Sequence, residues 1–527
     1  MFQIPYEQTG YFSKLMIDYL GKNNQLSSLY NRFPSIENFK DQILEKQTNF
    51  SSANREILAE SLQNQYAHFS VTAATQNNIN RLKDTTTFTV VTGHQLNLFT
   101  GPLYFLYKIV STINLCKELK KTYPEYDFVP IYWMATEDHD FDEINFFNFN
   151  QKKFQWNKEV SGPVGRLNTD GLQAVFEEFK KHLPLGNHAN ELANLFENAY
   201  LKHHNLADAT RFLANELFGN EGLVIIDGDD VALKKLFIPH IKEELTNQSS
   251  FKEVEKSYAI LKDAIIQVNP REINLFFIED GLRERIVFED DFYKVLNTEL
   301  QFTREELLHL VDTNPEKFSP NVILRPLYQE VILPNLCYIG GGGELAYWLE
   351  LKEVFTLHNI TFPMLLLRNS VLLATEKQNQ KRAKLNLSWE ELFLKTDEFQ
   401  QKKTKDFAQN IFDFEQQKQF LKEQFAALKE VALQTNKSFI GAVNAQEVKQ
   451  IKGLENLEKR YFKAERLKNQ DHLDRMLDLK IALFPNNSLQ ERVDNFSTFY
   501  VDYGKEMMDI LLENLNPLEQ HFAVVVL

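Results

Sequence analysis

Residues 88–102 read FTVVTGHQLNLFTGP, and the change of character within them decides the fold. An apolar β-type run, Phe88-Thr89-Val90-Val91, breaks at Thr92-Gly93-His94-Gln95. After a short loop, Thr100-Gly101-Pro102 opens a helix in which Leu103, Leu106, Val110 and Ile113 recur at three- and four-residue steps, the period of one buried face. Thr100 or Gly101 suits the cap, and Pro102 the first turn, where its missing N–H would be unpaired anyway. A strand, a polar glycine loop and a helix start together offer free amides to an anion such as a nucleotide phosphate. The loop carries neither Gly-Lys-Ser/Thr nor G-x-G-x-x-G. Alone, it fits any ordinary βα joint.

Four further strands end in the same way. Phe128 to Ala135 runs into Thr136-Glu137-Asp138-His139-Asp140, and Leu223 to Ile226 into Asp227-Gly228-Asp229-Asp230. Leu336 to Ile339 stops at the four glycines Gly340, Gly341, Gly342 and Gly343, followed by a helix carrying Glu344, Tyr347 and Trp348. Met364 to Leu367 stops at Arg368-Asn369-Ser370. Apolar strands alternating with helices predict a parallel sheet, and such sheets bind ligands at the carboxyl ends of their strands. All five strands place their polar residues there.

Around this α/β core of residues 85–375, residues 1–84 read as a helical brace. Ile36 to Leu44 and Ile57 to Phe69 have helical periodicity, and Pro34-Ser35 suits a helix start. Stretches 145–222 and 250–320 read as inserts between core strands. The second contains an antiparallel pair, Ile273 to Ile278 and Arg285 to Phe288, about Glu279-Asp280-Gly281. In 376–483, Phe407, Ile411, Phe414, Lys418, Leu421, Phe425, Leu428 and Ala432 step by four and three, a heptad seam broken only by Lys418. Val448, Ile451, Leu454, Leu457 and Tyr461 start a second helix, so the segment reads as an antiparallel coiled-coil hairpin, an arm for dimerisation. Residues 484–527 read as a C-terminal segment repacked on the core.

The chain has 527 residues, too many for one core, with 43% hydrophobic and 25% charged residues. Its formal charge of −15 leaves no electrostatic footprint for nucleic acid. Its two cysteines, Cys116 and Cys337, lie in apolar stretches and read as buried thiols in a reducing compartment. No run reaches transmembrane length, so a cytoplasmic protein without membrane partners is expected.

Several clusters carry candidate chemistry. Glu137 to Glu143 holds five carboxylates and a histidine in seven residues. That composition suits hydrogen bonds to a ribose or a substrate ammonium, a magnesium site, or acid–base work by His139; it also suits a solvated turn capping the next helix. Zinc is not supported, since neither cysteine is near a histidine at ligand spacing. His94 and Gln95 sit where a loop side chain reaches a phosphate. The glycine run permits close backbone approach. Arg325 and Arg368 are cations beside the sheet, suited to phosphates or carboxylates. Lys108, two turns into the first helix, reads as exposed.

The run Thr92-Gly93-His94-Gln95 with Thr100-Gly101-Pro102-Leu103-Tyr104, and Trp133-Met134-Ala135-Thr136-Glu137-Asp138-His139-Asp140, resembles the cysteine ligases of bacillithiol biosynthesis, the BshC family. Arg325-Pro326, Tyr338-Ile339-Gly340-Gly341, Glu344-Leu345-Ala346-Tyr347-Trp348 and Leu489-Gln490-Glu491-Arg492-Val493 extend the likeness across nearly the whole chain. The resemblance implies a Rossmann-like core with connecting-peptide inserts, as in class I aminoacyl-tRNA synthetases, and a coiled coil that makes a homodimer. It implies a ligase that joins the carboxyl group of cysteine to the amine of glucosaminyl-malate, with ATP activating the carboxylate as an acyl-adenylate. His94, Asp138 and His139 would then be catalytic. Thr92, Gly93, Gln95, Thr100, Gly101, Gly340 to Gly343 and Glu344 would hold the nucleotide. Glu137, Asp140, Trp133, Arg325, Tyr347 and Arg368 would hold the substrates. The chain departs from the synthetases where His94 is followed by Gln95-Leu96-Asn97, and where Arg368-Asn369-Ser370 replaces a lysine-rich signature. Acyl-phosphate chemistry therefore stays open, as does any metal requirement. The rival readings are a non-catalytic nucleotide-binding protein with a coiled-coil partner arm and a dehydrogenase, the latter opposed by the missing G-x-G-x-x-G.

Overall fold

The computed structural model describes residues 1–261, 265–407, 413–435 and 437–527; Ile411 and Asn436 lie outside them. The chain divides into two units, residues 1–373 with 488–527, and residues 374–487.

The five expected strands of the first unit form one sheet. They are β1 (Thr87–His94), β2 (Asp127–Met134), β3 (Val224–Asp227), β4 (Asn335–Gly340) and β5 (Met364–Leu367). Their order is β5-β4-β1-β2-β3, and every neighbouring pair is parallel. β1 is buried along its full length, as a strand covered on both faces must be. Phe88, Val90, Cys337, Ile339, Met364 and Leu366 pack on Leu115, Cys116 and Leu119 of helix α1 (Tyr104–Thr122) and on Phe39 and Ile43 of the N-terminal segment. Both cysteines are free thiols inside this cluster, and burial pushes their pKa values up.

Helices Phe39–Asn49 and Ser52–Gln65 occupy the expected brace, but the chain starts with a strand that periodicity did not reveal. Phe2–Pro5 pairs antiparallel with His521–Val526, which in turn borders Ser370–Ala374. The first insert holds a hairpin, Phe146–Phe149 with Lys152–Gln155, and helices Leu172–His182, Asn187–Tyr200 and Leu206–Phe218. The second holds a five-stranded sheet in which Leu275–Glu279 and Leu282–Glu289 pair as expected, Glu279 opposite Leu282. Gly281 supplies the positive φ of 74° that this two-residue turn needs.

Residues 488–527 are held to the first unit by buried polar contacts. The Glu491 carboxylate accepts from Arg368 Nη2 at 2.7 Å, Arg368 Nη1 at 3.1 Å and the Val371 amide at 2.9 Å. The Gln490 side chain pairs with both backbone groups of Leu373, at 2.9 and 3.0 Å.

In the second unit, helices Phe414–Leu433 and Lys437–Lys468 run antiparallel. Lys418 bonds Glu458 near one end and Lys429 bonds Glu447 near the other. Phe425, Ala432 and Val443 form its core, with Leu421 and Ile440 against them. Lys418, which breaks the seam, is satisfied by Glu415 and Glu458. Leu428, placed on the seam by its spacing, is half exposed. No helix among the described residues is long and apolar enough to cross a membrane.

Removing one partner of a buried ion pair leaves the other charge unsolvated. Glu491→Ala is expected to cost about 3–5 kcal/mol in urea unfolding, and Arg368→Met with Glu491→Met to recover most of it.

Candidate functional site

Parallel register aligns the carboxyl ends of the strands: Ile339 lies opposite Thr92, Gly93 opposite Trp133, and Met134 opposite both His94 and Asp227. Over that rim opens a cavity of about 660 Å³. One side is Gly93, His94, Trp133, the loop through Asp140, Tyr338, and Glu344 and Tyr347 of α3 (Gly342–Leu349). The opposite side comes from the second insert, with Arg271, Phe276, Arg283 and Arg285, and from the segment Pro320 to Arg325 that follows it.

The floor is built on a lysine that is buried, not exposed as its position suggested. Lys108 Nζ donates to the Gly93 carbonyl at 2.7 Å and pairs with Glu344 Oε1 at 2.5 Å. Glu344 Oε2 accepts the Tyr338 hydroxyl at 2.8 Å. Burial lowers the Lys108 pKa and the Glu344 charge opposes that shift. A Cβ at Gly93 would lie 3.1 Å from the Tyr338 hydroxyl, so glycine lets the strand end and this tyrosine approach closely. The His94 ring stacks on Tyr104 with centroids 5.2 Å apart, and its buried Nε2 makes no hydrogen bond among the described residues. Burial, reinforced by the Lys108 and Arg368 charges, holds the His94 pKa well below 6.5. His94 therefore meets a ligand as a neutral imidazole.

The acidic run after β2 divides into separate roles. Glu137 turns inward to a buried ion pair with Lys234 of helix α2 (Val231–Asn247), and Lys234 also donates to the Phe318 carbonyl. Asp138 accepts from its neighbour's amide, His139 N, at 2.7 Å and from Gln95 Nε2 at 3.0 Å. Burial alone would raise the Asp138 carboxyl; the His139 and Gln95 hydrogen bonds and the Arg283 charge hold it well below the usual range. Gln95 also donates to Glu143 Oε2 at 2.9 Å. His139 Nδ1 faces Arg283 Nη1 at 2.8 Å, while Asp140 is exposed. Asp138, His139 and Asp140 are the one group of three candidate metal ligands among the described residues, with atoms within 4.8 Å of one another. The single lone pair of His139 Nδ1 already faces the Arg283 guanidinium, so we assign no metal to this nitrogen.

Arg325 lies over the faces of Trp133, Tyr338 and Trp348, 5.6 to 5.8 Å from their centroids. Its Nη1 donates to Gln329 Oε1 at 3.0 Å, and its buried Nη2 has no partner among the described residues.

Other expected residues are not brought to the cavity. The Thr92 hydroxyl donates to the Ile339 carbonyl at 2.8 Å, so the strand pairing consumes it. Thr100 and Gly101 belong to a plug, not a phosphate loop. Phe99, at φ 49°, sits among Phe147, Phe179, Phe196 and Phe496 with centroids 5.0 to 5.5 Å away. Asn495 Nδ2 donates to the Phe99 and Gly101 carbonyls at 2.7 and 2.6 Å, and the Leu103 amide bonds the Asp494 carbonyl. α1 begins at Tyr104, after Pro102 rather than at it. Gly340 ends β4, and Gly341 shapes the entry to α3 without lining the cavity. Gly342 and Gly343 line a smaller cavity of about 180 Å³. Arg368 is committed to Glu491. Conversely, Arg271, Arg283, Arg285, Tyr104 and Tyr338 line the cavity unforeseen, and Lys234 braces it through Glu137. Arg283 and Arg285 carried a signal: two arginines two residues apart on a strand share a face.

The cavity thus sets carboxylates on the sheet side against guanidinium groups from the insert. It suits a ligand bearing both an ammonium and several anionic groups. Since the folded chain keeps His94 neutral while the unfolded chain protonates it below about pH 6.5, this residue's contribution to stability falls as pH drops through that value. Wild-type protein is expected to lose more stability between pH 7 and pH 5 than His94→Gln does, measured by urea titration at both pH values.

Residues 1–369 match the family described as "Bacillithiol biosynthesis BshC, N-terminal Rossmann-like domain", and residues 371–527 match its C-terminal coiled-coil domain. Relatives carrying the name "Putative cysteine ligase BshC" include one from Flavobacterium psychrophilum, 60% identical over 99% of this chain and 98% of its own. One from Flavobacterium johnsoniae is 58% identical over 99% of both chains, and one from Christiangramia forsetii is 54% identical over 99% of this chain. With a parallel-sheet core, a coiled-coil hairpin and both family domains matched from end to end, the chain belongs to the BshC family of bacillithiol biosynthesis.

Proposed function

We propose that this protein is an amide-forming ligase that couples the carboxyl group of cysteine to the amine of glucosaminyl-malate, with ATP activating the carboxylate. Family membership supports the ligase class. The observation that carries the substrate reading is the cavity with opposed walls, carboxylates facing guanidinium groups. Asp138, held ionised, and Asp140 suit the cysteine ammonium. Arg271, Arg285 and Arg325 suit phosphates and the malyl carboxylates. Trp133 and Tyr347 frame the Arg325 end. His94 is a neutral group beside Gly93 at the end of β1, and Gln95 and Glu137 position the acidic loop.

In the adenylate route, a cysteine carboxylate oxygen attacks the α-phosphorus and pyrophosphate leaves. The sugar amine then attacks the acyl carbon, loses a proton to solvent, and AMP departs. An acyl phosphate with loss of ADP gives the same amide. An amino-sugar amine is partly deprotonated near neutral pH, so neither route demands a dedicated base.

The coiled-coil hairpin is the proposed homodimer arm. Phe420, Leu428, Val431 and Leu433 on one helix and Phe439, Val448, Leu457 and Leu467 on the other leave large apolar side chains exposed. Light scattering after gel filtration should give twice the chain mass, and Leu428→Lys with Leu457→Lys should reduce it to one copy.

Protein supplied with ATP, cysteine and glucosaminyl-malate is expected to form bacillithiol with AMP or ADP, read by mass spectrometry. His94→Ala and Asp138→Ala should each lower turnover by on the order of 10²-fold with unchanged circular dichroism. Nucleotide binding without product would favour the non-catalytic reading instead.

A further inference from the structure

The structure assigns Arg283 as a positioning residue that fixes His139 in the Nε2–H tautomer, so that this imidazole offers the cavity a hydrogen-bond donor and not a base. A guanidinium carries donors only. Its Nη1 lies 2.8 Å from His139 Nδ1, so that ring nitrogen accepts, and in the neutral ring the proton resides on Nε2. The neighbouring carboxylate is the weaker partner, because Asp138 Oδ1 lies 3.7 Å from Nδ1, beyond hydrogen-bond reach, whereas Arg283 Nη1 lies 2.8 Å away.

Arg283 is itself fixed. It belongs to the inserted strand Leu282–Glu289, and its guanidinium lies 4.0 Å above the Phe276 ring. Its Nε reaches Ser319 Oγ at 3.4 Å and its Nη2 the Pro320 carbonyl at 3.5 Å. The insert thereby reaches across the cavity to set the proton position on a side chain of the sheet rim. His139 Nε2 has no hydrogen-bond partner among the described residues. Its N–H is available to an acceptor oxygen of the ligand, a phosphate or the acyl oxygen of activated cysteine. That last step rests on the ligase reading; the tautomer does not.

The test is nuclear magnetic resonance on protein carrying nitrogen-15 in its 12 histidines, with His139→Gln identifying the His139 signals. Two-bond correlations are expected to show an unprotonated Nδ1 and a protonated Nε2 in the wild type. Arg283→Met should shift the ring towards Nδ1–H, and Arg283→Lys, which keeps a donor, should retain the original form. An Nδ1–H wild type, or a tautomer unmoved by Arg283→Met, overturns the assignment. Should Arg283→Met fail to fold, the wild type and Arg283→Lys still decide, the latter by losing the Nε2–H form. In turnover, His139→Gln should lower kcat by on the order of 10²-fold. The double variant with Arg283→Met should fall no further, since the two act as one unit; additive losses would reduce Arg283 to packing. A wild type without any turnover defeats the ligase reading alone, and the tautomer spectrum then stands or falls separately.

Discussion

A single buried ammonium organises the site. Lys108 starts on α1, donates to the carbonyl at the end of β1 and pairs with the carboxylate that opens α3. Glu344 passes the constraint on to Tyr338 of β4. A lysine buried this deeply needs its charge matched and acceptors for its hydrogens, and the Gly93 carbonyl and Glu344 carboxylate that supply them hold the helix that follows β1 and the helix that follows β4 to one geometry. That geometry sets where Gly93, His94 and Tyr338 stand relative to one another. The cavity floor is therefore a consequence of charge compensation as much as of sheet register.

The same logic governs the walls. Acidic residues adjacent in sequence have different fates because different elements meet them: α2 brings Lys234 to Glu137, the loop after β1 brings Gln95 to Asp138, and the insert brings Arg283 to His139. A charged run that reads as one cluster becomes a brace, an ionised acceptor and an oriented imidazole. The insert is then part of the site, since it supplies the guanidinium side of the cavity and lies across the rim.

Patterns local to the chain were readable. Apolar runs ending in polar residues gave the five strands, and their common direction gave one ligand-bearing rim. The three- and four-residue steps gave the coiled-coil helices, and Asp280-Gly281 gave the insert hairpin. Legibility failed where a residue's role depends on a partner far away in the chain. Arg368 and Glu491 stand 123 positions apart, and nothing beside Arg368 shows that its charge is already matched. Thr100 and Gly101 have the composition of a phosphate loop, yet Asn495 and four phenylalanines from two other segments close it as a plug. Phe2–Pro5 is too short to declare itself a strand without His521–Val526 beside it.

The amino-acid sequence by itself determined the alternation of strands and helices, the rim at which polar residues collect, and the family. Those features follow from side-chain periodicity and local turn chemistry, which act over a few residues. Tertiary structure alone decided which charges remain open to a ligand. Burial and ion pairing are set by whichever segment packs opposite, and that turned Lys108, Glu137 and Arg368 into framework while leaving Asp138, His139 and the insert arginines around the cavity.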